Sequence, residues 1–247
     1  MKADPFVQLR LLELQALDSA IDRLDHRRRT LPELAEIARL EGLIAASRDD
    51  VVRAQTAVGD LAREQAKFET EIEQVRTRRA RDEQRLASGD ITHPKQLQDL
   101  EHEVATLVRR QSDLEDAELE VMERAETAQG ELDRLVAARD GHLAAIASAA
   151  EARDATFAEI DAERARSLTA RTEMAATFPA DLLALYERIR AAEGGVGAGA
   201  IGRGACGACR LELMGNEKAE IRAAPSDEVL RHEECRRIIV RTAESGL

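Results

Sequence analysis

Apolar residues recur at alternating steps of three and four along most of this chain. This spacing is the heptad pattern of helices that pair in coiled coils. One heptad run covers residues 37–86 and a second covers residues 97–135, whereas an earlier run at 14–24 stops before Pro32. Proline has no amide hydrogen and disfavours helix in the residue before it, so a kink is predicted near residues 30–32.

The segment between the two long runs has the composition of a turn. Ser88, Gly89 and Asp90 suit the end of one helix, and Pro94 suits the first turn of the next. A turn near residues 87–94 between two arms of similar length predicts an antiparallel hairpin that pairs with itself. The alternative is that both helices pair with another subunit.

Polar residues in the heptad positions bear on the register of this hairpin. If Leu86 faces Leu97, the interior positions Gln65 and Glu118 lie opposite each other. A single polar layer of this kind fixes the register of a coiled coil. The sequence therefore predicts a Gln65–Glu118 layer under that assumption.

The rest of the chain divides by composition into three further segments. Residues 180–192 predict a short amphipathic helix after Phe178 and Pro179, and residues 193–204 predict a glycine-rich linker. We therefore expect a mainly α protein with a coiled-coil helical hairpin at residues 1–192, the linker, and a small C-terminal domain at residues 205–247.

The composition supports long helices rather than a compact globule. Charged residues make up 34% of the chain and aromatic residues 2%, with no Trp. Aromatic side chains supply much of the buried area of compact cores, so this chain must bury its apolar surface in another way. The net charge of -12 disfavours nucleic acid for the molecule as a whole but leaves room for a local basic patch.

The sequence also bears on the cellular compartment. Its first twenty residues are charged throughout and contain no apolar signal segment. No apolar stretch approaches the roughly 20 residues that span a bilayer. Three cysteines cannot all pair within one chain, which favours the reducing cytoplasm. We expect a cytoplasmic protein without membrane contact.

All three cysteines lie within thirty residues and, together with one histidine, form two short-spaced pairs. Zinc in structural sites takes four sulfur or nitrogen ligands, commonly delivered as two such pairs. The predicted ligands of one structural zinc ion are Cys206, Cys209, His232 and Cys235, and residues 205–247 are therefore predicted to form a small zinc ribbon. A redox dithiol uses the same Cys-x-x-Cys spacing, but the βαβ context of that class is missing from the sequence. Four protein ligands leave no position for an activated water, so the metal is expected to be structural.

Several segments resemble a bacterial family of coiled-coil hairpin proteins whose zinc ribbon usually has four cysteines. They are "LLELQALDSAIDRL", "KQLQDLEHEV", "CGAC" and "HEECRRIIVR", and the ending "RIIVRTAESGL" resembles the actinobacterial branch. The resemblance implies the same zinc ligands, with His232 where the family usually has a fourth cysteine and Arg236 where it tends to have glycine. It also implies a predicted nucleic-acid-binding role, a partnership with sigma-54 or an accessory role in flagellar assembly, and no enzymatic activity.

We expect a non-enzymatic adaptor that docks protein partners, with a link to transcription machinery. The alternative is nucleic-acid binding through the ribbon, which lacks aromatic residues for base stacking. Its arginines are the candidate partner or phosphate contacts: Arg231, Arg236, Arg237 and Arg241. An enzyme is not expected, because the dinucleotide-like "GAGAIG" follows a helix instead of a strand. No small-molecule substrate is expected.

Overall fold

The computed structural model describes residues 1–246 and is mainly helical, as the heptad pattern predicts. The helices are α1 (Pro5–Arg29), α2 (Pro32–Ala87), α3 (Pro94–Ala175), α4 (Ala180–Ala192) and α5 (Gly215–Ala223). The strands are β1 (Ala198–Gly202), β2 (Ala205–Cys206), β3 (Leu230–Arg231) and β4 (Ile238–Val240). Within this described range, no helix has the length and apolar character needed to cross a membrane.

Proline begins each of the first three helices. Pro5, Pro32 and Pro94 occupy a position where the missing amide hydrogen costs nothing, because the first amide groups of a helix have no partner within it. The Asp4 carboxylate accepts a hydrogen bond of 2.8 Å from the Phe6 amide and caps α1. The interruption between α1 and α2 covers residues 30–31, and the segment between α2 and α3 covers residues 88–93.

The chain divides into two compact units, one of which consists of residues 35–149. In this hairpin unit, ion pairs join α2 to α3 in antiparallel order. In order toward the turn, they are Arg124–Glu64 at 3.8 Å, Arg76–Glu115 at 2.6 Å and Arg78–Glu103. The apolar residues buried along the two helices are Leu40, Val51, Leu61, Ile72, Leu100, Leu107, Leu114 and Val121. The predicted intramolecular hairpin is confirmed.

The register of the hairpin differs from the assumption made for its turn. Leu97, which was placed opposite Leu86, is 38% exposed, whereas Leu100 is only 6% exposed. The first turn of α3 therefore lies outside the paired interface, and pairing begins about one turn later than assumed.

The polar contact between α2 and α3 is also a different one. Arg79 Nη1 donates to Gln111 Oε1 at 2.8 Å across the two helices. Gln65 instead donates to Glu69 of its own helix at 3.2 Å. The predicted layer of Gln65 and Glu118 stays a prediction, and the polar contact that the structure shows across the two helices is that of Arg79 and Gln111.

The second unit, called the ribbon unit here, consists of residues 1–34 and the described residues from 150 onward. In it, α1 runs antiparallel to the last part of α3, and ion pairs link them at successive turns: Arg28–Asp161, Arg164–Asp25 and Arg171–Asp18. The strands form one sheet in the order β2-β1-β4-β3, in which β1 and β4 are parallel and the other pairs are antiparallel.

The two faces of β4 belong to two different cores. Ile238 and Val240 pack in a core with residues of α1, α4 and the end of α3. Ile239 points the other way and packs in a smaller core, whose other buried members are Ile201, Cys206, Leu213 and Ile221. The strand thus attaches the small ribbon core to the helices.

Part of the predicted glycine-rich linker is a buried strand. The prediction is wrong for residues 198–202, which form β1, because the glycines here allow close packing. A Cβ atom on Gly197 would lie 2.8 Å from the Tyr186 ring, and one on Gly199 would lie 2.5 Å from the Ala208 amide nitrogen. The absence of side chains lets the strand approach a helix on one side and the metal-binding loop on the other.

A side-chain amide of α1 holds the start of β1 in place. Gln15 Oε1 accepts hydrogen bonds from the backbone amides of Gly197 at 2.6 Å and Ala198 at 3.3 Å. Its Nε2 group donates to the Gly195 carbonyl at 3.1 Å. Gln15 therefore substitutes for a neighbouring strand, and its amide satisfies backbone groups that would otherwise be buried without partners.

A buried carboxylate organises the contact between α1, α3 and α4. Asp18 accepts hydrogen bonds from Arg171 Nε at 2.8 Å and from the Tyr186 hydroxyl at 2.6 Å. Arg190 Nε lies 3.4 Å from the same carboxylate. Two cations and a hydroxyl thus compensate one buried charge, which is the condition for such a charge to be tolerated.

The single tyrosine of the chain gives a pH-dependent measure of this packing. Burial raises the pKa of Tyr186 above its ordinary value of about 10, and the hydrogen bond to Asp18 raises it further. The folded state therefore holds this proton more tightly than the unfolded chain. Its contribution to stability is complete below about pH 10 and is lost as the pH rises through the folded pKa.

Alkaline titration is expected to produce tyrosinate absorbance only when the ribbon unit unfolds. The measurement compares ultraviolet absorbance with circular dichroism over the same pH series. A tyrosinate signal that rises near pH ~10 in the folded protein would contradict the buried placement. Tyr186→Phe serves as the control, because it removes the signal entirely.

Candidate metal centre

The first pair of predicted ligands lies on a tight loop that follows the β1–β2 hairpin. Cys206 pairs with Ile201 in the sheet, which fixes the position of its backbone. The Arg210 amide donates to the Cys206 carbonyl at 2.7 Å and closes the loop that carries Cys209. The sulfur atoms of both cysteines are thereby brought to the same side of the loop as the second pair.

The second pair lies on the connection between β3 and β4. The His232 amide donates to the Arg237 carbonyl at 3.0 Å, and the Arg236 amide donates to the His232 carbonyl at 2.9 Å. Arg236 has a φ angle of 59°, in the left-handed region that favours glycine. The glycine expected from the family resemblance at this position thus has a physical reason, and this chain places an arginine there at some cost in backbone strain.

The structure brings together all four predicted metal-ligating residues, whose donor atoms lie within 4.8 Å of one another. His232 Nδ1 lies 3.1 Å from Cys235 Sγ and 3.4 Å from Cys209 Sγ. Cys206 Sγ lies 3.9 Å from Cys235 Sγ. Nδ1 is therefore the imidazole atom that faces the sulfurs.

The donor set fits one structural zinc ion. Zinc readily takes three thiolates and one imidazole nitrogen in a closed tetrahedral site, and a closed site supplies folding energy. Cys206 and His232 are fully buried, so the site is enclosed by the protein on one side. The predicted single zinc cofactor is confirmed as the ion that this cluster fits.

The protonation of the thiols depends on their surroundings. Burial raises the pKa of the Cys206 thiol to about 11. For Cys209, burial acts in the same upward direction, but the hydrogen bond from the Leu211 amide, hydrogen bonds from the neighbouring thiols and the charge of Arg237 together outweigh it, and the pKa is lowered. Metal ligation requires thiolates, so binding of the ion must displace protons from the cluster.

The sequence did not reveal a fifth residue that lies beside the predicted ligands. Glu217, in the first turn of α5, is only 4% exposed, and its Oε2 atom lies 3.7 Å from His232 Nε2. Its other carboxylate oxygen accepts a hydrogen bond of 3.0 Å from the Glu233 amide. The only signal in the sequence was an acidic residue at the start of a short helix, which is too common to identify it.

Two of the four arginines predicted as partner or phosphate contacts donate hydrogen bonds within the fold. Arg237 donates to the backbone carbonyls of Val196 and Glu193, at 2.9 Å and 2.5 Å. Arg241 donates to carbonyls at the end of α5 and in the segment after it, including Ala224 at 2.8 Å. These arginines supply donors to carbonyls that the ribbon backbone leaves without one, and their assignment as partner or phosphate contacts stays a prediction.

The remaining two arginines, Arg231 and Arg236, are exposed. Arg231 Nε donates to the Arg236 carbonyl at 2.8 Å, which holds the two residues on one turn. Both guanidinium groups remain available for contact with another molecule.

The fold and the donor cluster together define a coiled-coil hairpin protein that carries a zinc ribbon. Residues 14–194 match the family model described as a CT398-like coiled coil hairpin domain, and residues 205–239 match a C4-type zinc ribbon domain. The chain belongs to the CT398-like coiled-coil hairpin family. In its ribbon, the donor cluster consists of three cysteines and one histidine, His232.

Relatives of the chain are found in mycobacteria. An uncharacterized protein of Mycobacterium tuberculosis is 42% identical over 98% of both chains. A solved structure from Mycobacterium smegmatis is 36% identical and covers 98% of this chain and 100% of its own, with a TM-score of 0.84. CT398 from Chlamydia trachomatis is 19% identical, covers 96% of this chain and 98% of its own, and shares the fold with a TM-score of 0.64. The resemblance to the actinobacterial branch is confirmed.

Proposed function

We propose that this protein is a non-enzymatic adaptor whose zinc ribbon docks a protein partner. The observation that carries the proposal is a pair of exposed apolar side chains next to the first metal-binding loop. Leu211 is 53% exposed and Met214 is 60% exposed. The two residues are three positions apart in one segment, exposed apolar clusters are typical of interaction sites, and methionine adapts to partners of different shape.

Two arginines flank this pair in unusual backbone conformations. Arg203 and Arg210 are exposed and have φ angles of 50° and 66°. An L-residue in this region costs roughly 1–2 kcal/mol, so glycine would be the less strained choice. The Leu213 amide donates to the Gly204 carbonyl at 3.0 Å, which places the turn that carries Arg203 against the segment that carries Met214.

We call the surface formed by Arg203, Arg210, Leu211 and Met214 the knuckle face. Its chemistry suits a partner that presents apolar side chains beside acidic ones. The proposal of an adaptor without catalysis is supported by the metal cluster, because four protein donors leave a zinc ion no position for substrate or water. The free thiols of the site need a reducing environment, so we place the adaptor in the cytoplasm.

A second candidate function is nucleic-acid binding. It is favoured by the exposed Arg231 and Arg236 and by the two arginines of the knuckle face, all of which could contact phosphates. It is disfavoured by the absence of aromatic residues from position 198 onward and by the net charge of -12.

The two functions are separated by crosslinked capture from native cytoplasm, with and without nuclease. Leu211→Ser with Met214→Ser is expected to reduce capture of a specific protein at least about tenfold, as for interface anchors. Leu119→Ser with Leu143→Ser is the matched control, because both of these leucines are exposed on α3 far from the ribbon in sequence. The mass of the captured protein would test the suggested link to transcription machinery.

If the unmodified protein no longer captures its partner after nuclease treatment, the adaptor proposal is contradicted and nucleic-acid binding is supported. Equal loss with the control variant would also contradict it, because the effect would then come from exposed leucines in general. The knuckle-face variant must retain zinc for either result to count, since an unfolded ribbon binds no partner.

A further inference from the structure

We propose that Glu217 is a positioning residue of the zinc site, which accepts the Nε2 proton of His232 and keeps Nδ1 free for the metal. This inference concerns the metal centre and is independent of the docking function. It rests on the direction in which the imidazole points, on the burial of Glu217, and on one polar atom that lacks a partner.

The imidazole of His232 has two different sides. Its Nδ1 atom faces the sulfurs of Cys235 and Cys209, at 3.1 Å and 3.4 Å. Its Nε2 atom is buried and has no hydrogen-bond partner among residues 1–246. A buried polar nitrogen without a partner is costly, so the group nearest to it needs to be identified.

The group facing that atom is the carboxylate of Glu217, whose Oε2 lies 3.7 Å from Nε2. This separation is about 0.7 Å longer than an ordinary N–H···O hydrogen bond, a gap that a side-chain rotation can close. The two side chains come from different elements: Glu217 lies in α5, and His232 lies in the segment after β3.

The burial of Glu217 shows that its carboxylate needs partners. A carboxylate with 4% exposure is stable only when hydrogen-bond donors surround it. One oxygen accepts the Glu233 amide proton at 3.0 Å. The other oxygen lies 3.7 Å from His232 Nε2, whose proton can serve as its donor.

The consequence concerns which nitrogen of the neutral imidazole carries the proton. A carboxylate beside Nε2 favours a proton on that atom, which leaves the Nδ1 lone pair directed at the sulfurs. Carboxylate partners of this kind fix the orientation of metal-ligating histidines and raise their basicity. A ribbon with four cysteines has no ring to orient, so the need for Glu217 arises from the histidine of this chain.

A simpler role for Glu217 is to hold the Glu233 backbone and nothing more. Glu217→Gln alone does not distinguish the two roles. The glutamine has one acceptor oxygen for two donors, the Glu233 amide and the His232 Nε2 proton, so its NH₂ group must face one of them. The role can be assigned by combining this substitution with His232→Cys. A thiolate ligand has no proton to donate and is repelled by a nearby carboxylate, so Glu217 should be of no use to it.

Zinc affinity of the full chain, measured by competition with a chelator, is the first readout. Glu217→Gln is expected to weaken zinc binding about tenfold, at the lower end of what such outer partners contribute. Glu220→Gln is the matched control, since Glu220 lies on the same helix and is exposed. It is expected to leave the zinc affinity unchanged.

In the His232→Cys background, Glu217→Gln is expected to leave zinc affinity unchanged or to increase it. A tenfold loss in both backgrounds would overturn the proposal and show that Glu217 only holds the loop. If His232→Cys fails to bind zinc, nitrogen-15 NMR of the imidazole decides the question in the unmodified zinc-loaded protein. A proton on Nε2 is expected, and a proton on Nδ1 would overturn the proposal.

Discussion

Replacing Cys206 and Cys209 together by serine is expected to abolish zinc binding and to unfold the ribbon while most of the helical signal remains. Cys206 is fully buried in a core with only four other buried residues, which is too small to fold unaided. Structural zinc contributes about 10–16 kcal/mol in zinc-finger peptides, and a loss of this order exceeds what so small a core can replace. Metal analysis and circular dichroism measure the two effects directly.

Amide hydrogen exchange locates the unfolding. The amides of β1, β2 and β4 are expected to lose protection in the double serine variant, and chelation of zinc from the unmodified protein should reproduce this loss. Leu211→Ser is the control within the ribbon, because its side chain is exposed and supplies no metal donor. Protected strand amides in the metal-free protein would contradict a structural role for the ion.

The substitution Asp18→Ala is expected to destabilise the ribbon unit by about 3–5 kcal/mol, the cost of breaking a buried charge cluster on one side. The Asp18 side chain is 2% exposed, and those of Arg171 and Arg190 are 21% and 24% exposed. Its removal leaves two partly buried cations and the Tyr186 hydroxyl without their common acceptor. Urea denaturation followed by tyrosine fluorescence measures the effect in this unit, because Tyr186 is the only tyrosine.

Asp25→Ala provides the comparison for Asp18→Ala. Asp25 pairs with Arg164 at 2.7 Å between the same two helices, but both side chains are about a third exposed. Solvent screens such pairs, and we expect a cost below about 1 kcal/mol. Equal costs for the two variants would show that Asp18 stabilises the unit no more than a surface pair does.

The features that the sequence revealed are those set by residues close together in the chain. Heptad spacing predicted the paired helices, and Pro32 and Pro94 stand at the first residues of α2 and α3. The two short-spaced pairs that contain Cys206 and His232 predicted the donor cluster, because each pair is a local geometric unit. Such signals need no knowledge of the tertiary fold.

The features that the sequence did not reveal depend on contacts between distant residues. Gly197 and Gly199 lie in the predicted linker, and only the approach of Tyr186 and Ala208 explains why side chains are excluded there. Glu217 lies in an ordinary helical context fifteen positions before His232. Its function becomes visible only when α5 packs beside the second pair of ligands.

Arg241 illustrates the same limit for charge. A cluster of arginines in the sequence suggested phosphate contacts, but several backbone carbonyls around the end of α5 accept the Arg241 protons. An arginine in a sequence indicates that its guanidinium group will find acceptors. Which acceptors it finds depends on the backbone carbonyls that the fold leaves without a donor.

The short bridge between the start of α1 and the ribbon has a consequence for synthesis on the ribosome. The Ala3 amide donates to the Asp227 carbonyl at 2.8 Å, the Val229 amide donates to the Met1 carbonyl at 3.0 Å, and the Lys2 ammonium pairs with a carboxylate 225 positions later. The contacts of the hairpin unit lie within residues 35–149 and are available much earlier in translation. Residues 1–3 are therefore translated early but cannot form these contacts until residues 227–229, near the end of the ribbon, have emerged.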